Sequence, residues 1–164
     1  EQAAAEFASV AATLEAKGLD GKDEVEAYIA SHKGSTQALL AALQLAKAAA
    51  DKGAFDVAEA QLKLVVAEAK KDDPLASIAR LQLARISLAA GKHDDALAVL
   101  AGQPFPQAFV AQAAELEGDV LRLKGDRAAA YAAYERGLAT VDQQAAPLLR
   151  DKLNDVADAA PAKP

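Results

Sequence analysis

The chain has 164 residues, a net charge of −6 and no cysteine, and 52% of it is hydrophobic although aromatic residues make up only 4%. That length suits one domain with a real core, and the missing thiols exclude disulfides and thiolate metal sites. The acidic balance, without any Lys/Arg block, disfavours nucleic acid as a partner. Alanine supplies more than a quarter of the residues, which favours close-packed helices over sheets.

In chain order, a first helix is expected from about 2 to 17, with Phe7, Val10 and Leu14 at helical spacing. Gly18 to Gly21 break it, and a second helix follows over 22–32 with Val25, Tyr28 and Ile29 as its apolar stripe. His32 and Lys33 suit a helix C-terminus, and Ser35 or Thr36 suits the next N-cap. Further helices are expected at 36–52 and 54–70, at 74–90 and 93–101, and at 106–124 and 126–141. Phe55, Ala58, Leu62, Val65 and Ala69 mark one buried face of the 54–70 helix. Asp73 before Pro74, and Asp126 after Gly125, are capping signals. Pro104 and Pro106 cut the 93–101 helix short. A final helix over 147–157 sets Leu148, Leu149 and Leu153 against charged residues, and 159–164 is expected as a disordered tail, with fraying from Asp158.

Three of these pairs repeat one pattern. A small residue (Ala46, Ala84, Gly118) is followed seven positions later by a glycine (Gly53, Gly91, Gly125). An alanine comes next (Ala58, Ala96, Ala130), then a large apolar residue (Leu62, Leu100, Tyr134). A period of roughly 34 residues in a helical sequence signals stacked helix–turn–helix units. The expected fold is therefore all-α: a right-handed solenoid of about four helical hairpins in a single domain over 1–158. The pair in 1–34 is degenerate, the clear repeats occupy 36–70, 74–101 and 106–141, and the last helix caps the stack.

Catalytic chemistry finds little support. His32 and His93 have no His or Cys at ligand spacing, and the bland readings are a solvated helix end and a turn residue. Asp72 and Asp73 read as caps, while Glu115 and Glu117 face different sides of a helix. No phosphate loop, dinucleotide fingerprint or nucleophile elbow occurs. Neither enzyme activity nor a cofactor is expected.

A repeat stack instead offers a surface. The first helix of each pair lines the concave face, where the register places Leu40, Leu43 and Lys47. The next copies place Ile78, Leu81, Arg85 and Leu88, then Gln112, Glu115, Asp119 and Arg122. This apolar strip with a few charges suits an extended or helical peptide. The competing reading makes its leucines core and its charged members a solvated face.

The small–Gly–Ala–large pattern resembles the tetratricopeptide repeat over 36–141, without the consensus tryptophan or the tyrosine before the glycine. The lysines and asparagines that clamp a C-terminal carboxylate in some of those domains are also missing, since the positions read Leu43, Leu81 and Glu115. The segments LAALQLAKAAADKGAFDVAEAQL, LARISLAAGKHDDALAVL, AELEGDVLRLKGDRAAAYAAYERGL and PLLRDKLNDVA resemble the periplasmic domain of the YfgM-like family, ancillary subunits of the bacterial Sec translocon. The resemblance implies a non-enzymatic scaffold on the periplasmic side of the inner membrane, tethered by an anchor upstream of Glu1. The partners it implies are the translocon core, a membrane-anchored periplasmic chaperone of the prolyl-isomerase type, and newly exported chains. Two alternatives stand beside it: an adaptor in another envelope pathway, such as outer-membrane assembly or division, and a self-associating repeat domain.

Overall fold

A computed structural model describes residues 2–70, 72–142 and 146–160, and every regular element among them is helical. The first helix, α1, is Gln2–Lys17; a 3-10 turn over Gly18–Gly21 leads into α2, Lys22–Ser31. Then come α3 (Thr36–Asp51) and α4 (Phe55–Glu68), α5 (Pro74–Ala89) and α6 (His93–Ala101), α7 (Gln107–Leu123) and α8 (Arg127–Leu138), and α9 (Pro147–Asp155). The expected all-α fold of helical hairpins holds. Most ends fall within two residues of the expected positions, and α8 stops three residues early.

The repeat glycine explains why the three turns look alike. Gly53, Gly91 and Gly125 sit at φ of 73°, 74° and 86°, a left-handed conformation that a Cβ penalises. Each turn closes with the same two bonds. Gly53 N donates to Ala50 O and Ala54 N to Ala49 O, both at 2.9 Å. Gly91 and Lys92 bond to Leu88 and Ser87, and Gly125 and Asp126 to Arg122 and Leu121, in the same register. This double closure satisfies carbonyls that a helix end would otherwise orphan. At the starts, the Ser35 hydroxyl accepts from Ala38 N, Asp126 from Ala129 N and Asp73 from Leu75 N. Ser35, rather than Thr36, is the cap of α3.

The chain divides into two compact units, Glu1–Ile86 and Ser87–Pro164, the division falling inside α5. In the first, α3 packs against α1, α2 and α4, and its core holds Val25, Leu45, Leu62 and Val65, all at or near zero exposure. In the second, α7 packs on α8 and α8 on α9, around Tyr134, Leu138, Leu149 and Val156.

Three expectations need correction. His32 is not a solvated helix end: its ring stacks on Tyr28 with centroids 4.3 Å apart, and its Nε2 lies 3.1 Å from Glu6 of α1. Leu148 does not join the stripe of α9. Steps of four and three residues put Leu149, Leu153 and Val156 on one side, and Leu148 is left 73% exposed. The chain does not fray at Asp158, which lies in a 3-10 turn over Ala157–Ala159 and accepts from the Arg127 guanidinium. Residues 161–164 of the expected tail lie outside those described.

Candidate interaction surfaces

The first-helix positions divide by environment. In the first unit, Leu40, Leu43 and Ile78 are half-buried, and Lys47 and Arg85 are exposed. Lys47 pairs along its own helix with Asp51 at 2.9 Å, an exposed contact of small energetic value. Leu81 is 2% exposed and belongs to the core, so it cannot line an open face. In the second unit, Leu88 is half-buried and Gln112 and Arg122 are exposed.

Glu115 and Asp119 are spoken for within the chain. Lys152, projecting from α9, lies 2.6 Å from Glu115 and 2.7 Å from Asp119, and so ties the closing helix to α7. The other Asp119 oxygen accepts from the Tyr134 hydroxyl at 2.8 Å. Burial pushes the Tyr134 phenol up to about 12, and the Asp119 carboxylate adds to the rise. Burial opposes the charge on Lys152, but Asp119 and Glu115 together outweigh it and leave its pKa raised. These groups fasten helices. Asp119 and Glu115 each meet a cation of this chain, which leaves them poor anchors for a partner.

The clefts lie elsewhere, beside second helices. One, of about 340 Å3, runs between α2 and α4 and is lined by Glu26, Ile29, Ala30, Gln61, Leu64 and the Lys33–Glu68 pair. The other, of about 290 Å3, lies where α6 ends early: Pro104 and Phe105 face Val110 and Ala113 of α7, with Arg136 of α8 paired to Glu117 at 2.5 Å. Among the described residues, no group of three or more His, Asp or Glu could hold a metal ion. No helix there is long and apolar enough to cross a membrane.

The helix pairs with their shared glycine turns agree with a family model, the tetratricopeptide repeat-like domain, which matches residues 1–158. The chain belongs to that family. A curated relative from Haemophilus influenzae, an ancillary SecYEG translocon subunit, is 29% identical over 94% of this chain and 75% of its own length. Relatives of the same name from Aggregatibacter actinomycetemcomitans and Escherichia coli are 29% and 31% identical. These matches cover 82% and 84% of this chain, and 65% and 66% of the relatives. The resemblance to ancillary translocon subunits read from the sequence is thus met by named relatives. No solved structure matches.

Within this repeat-like domain, sequence reasoning pointed to the first helices and passed over both clefts. The α2–α4 cleft depends on Gln61 meeting Glu26 across 35 residues, a separation that leaves no periodic trace. The α6–α7 cleft did leave a signal, the prolines that shorten α6.

Proposed function

We propose that this chain is a non-enzymatic protein-interaction scaffold that serves the Sec translocon from the periplasmic face of the inner membrane. The observation that carries the reading is the run of relatives named ancillary SecYEG translocon subunit, the first of which aligns with 94% of the chain. The fold supports it, since helical hairpins of a repeat-like domain present side-chain faces to a partner. The partners in this reading are the translocon core and a membrane-anchored periplasmic chaperone of the prolyl-isomerase type, the two acting on newly exported chains. In the first unit Leu40, Leu43 and Ile78 are the apolar part of a proposed contact face, with Lys47 and Arg85 at its polar margin; in the second unit the proposed contacts are Leu88, Gln112 and Arg122.

The test is co-purification of the full-length protein from detergent-solubilised membranes. Recovery of translocon subunits and of a prolyl-isomerase-type chaperone supports the reading. Recovery of neither, with the protein present in the membrane fraction, overturns it. A Lys47→Glu/Arg85→Glu variant that keeps its fold is expected to lower the yield of partner several-fold.

A further inference from the structure

Helix α1 is held more lightly than its neighbours. None of its side chains over residues 4–17 is buried, whereas α2 buries Val25, Tyr28 and Ile29 and α3 buries a full stripe. Phe7, Val10 and Leu14, the apolar face of α1, are only half covered. The Phe7 ring lies 6.4 Å from that of Tyr28, and the Tyr28 hydroxyl is buried without a hydrogen-bond partner. A helix laid against Tyr28 thus gains no hydrogen bond there for the water it displaces.

One of the ties between α1 and α2 runs through His32. Its Nε2 lies 3.1 Å from Glu6 Oε2, and its Nδ1 lies 3.1 Å from the Tyr28 carbonyl and 2.9 Å from Ser31 Oγ. The Ser31 hydroxyl donates to that same carbonyl at 2.9 Å, so it turns a lone pair towards the ring. All three partners accept. A neutral imidazole has one N–H and would set its other nitrogen against an acceptor, whereas the imidazolium donates from both. Stacking of the ring on Tyr28 at 4.3 Å favours the same charged form.

The other charges nearby hold steady where histidine titrates. Lys33, next in the chain, is met by Glu68 of α4 at 3.2 Å. Helix α3 carries no titratable side chain before Lys47, and Asp20 lies in the 3-10 turn at the opposite end of α2. Burial and the Glu6 carboxylate push the Tyr28 phenol up. Lys17 holds the Glu24 carboxyl below its usual range, so that second tie between α1 and α2 keeps its charges.

We propose that α1 is a pH-sensitive strap, latched to α2 by protonated His32 between Glu6 and the Tyr28 carbonyl and loosened as that proton leaves. The charged ring belongs to the docked helix, so docking is firmest at the acid end of the histidine range and weakens as pH rises.

The experiment is millisecond-labelling hydrogen exchange on the 164-residue chain at about pH 5.5 and about pH 8, the span over which histidine changes charge. Each protection factor is referred to the unstructured rate at its own pH. Amides of α1 are expected to lose about two- to fivefold in protection at the higher pH, the scale of a partly exposed ion pair, while those of α3 and α4 hold. His32→Gln and Glu6→Gln should each flatten the response, which also excludes His93 of the second unit as its source. Tyr28→Phe keeps the stacked ring and removes the unmet hydroxyl, so it should raise protection of α1 at both pH values and leave the fall between them. The proposal is overturned if α1 in the parent is equally protected at both pH values, or if either glutamine variant keeps the parent's fall.

Discussion

Gly118 and Tyr134 show how tightly one repeat sets its side-chain sizes. A Cβ built on Gly118 would lie 2.3 Å from Tyr134 Cε1 and 2.5 Å from Cδ1. Tyr134 has no exposed surface, so its ring cannot swing clear. The other repeats carry alanine and leucine at these two positions, a different division of similar volume. Gly118→Ala is therefore expected to destabilise by about 1–2 kcal/mol, overpacking outweighing the gain in helix propensity. In a chain of this size the melting temperature should drop by about 3–8 °C. Adding Tyr134→Leu should recover part of that loss and show a coupling near 1 kcal/mol in a double-mutant cycle. Gly53→Ala is the contrast. No atom lies within 4 Å of its added Cβ, so its cost of roughly 1–2 kcal/mol is conformational and no neighbouring substitution should relieve it. Equal rescue at both glycines would refute the distinction.

At the scale of elements, α9 is held by the buried Leu149 and by a half-buried polar cluster around Lys152. Leu149 is 4% exposed, and its Cδ2 lies 3.2 Å from where a Gly137 Cβ would stand. Leu149→Ala should cost about 2–4 kcal/mol and expose backbone amides in residues 147–155 to hydrogen exchange before those of α7. The polar cluster adds a pH dependence. Tyr134 keeps its proton to about 12 in the folded chain, whereas an unfolded tyrosine loses it near 10. Between those values the unfolded chain releases the proton first, so stability is full below pH 10 and is lost as pH rises towards 12. Lys152 has a raised pKa, from Asp119 and Glu115 prevailing over burial, and its contribution disappears in the same direction. The Tyr134 share is of the order of 2 kcal/mol. Tyr134→Phe should be less stable at pH 8, having lost the bond to Asp119, yet lose less between pH 9 and pH 11.5 than the parent. Parallel curves in urea titrations at those pH values would show that the phenol is not responsible.

For the whole molecule, what could be read in advance follows from how far apart the deciding residues lie. Helix ends were legible because Gly53, Gly91 and Gly125, with Ser35, Asp73 and Asp126, act on groups within five residues of themselves. The Lys152 bridge to Asp119 spans 33 residues and the Gln61–Glu26 bond 35, and neither separation has a periodic signature. The periodicity left Leu81 open between groove and core and put Leu148 on the wrong side for a related reason, since a helical stripe gives a direction without saying what stands opposite. Stability should follow the same locality. Repeat stacks gain their free energy from each unit and its nearest neighbours, and here the division between the two compact units falls within α5. Gly118→Ala strains only the packing of α7 on α8, so it should lower amide protection across 107–138 and in α9 while leaving residues 22–68 unchanged. Native-state hydrogen exchange on parent and variant reads this directly. A uniform fall along the chain would mean that the two units unfold as one, and the local account of stability would then be wrong.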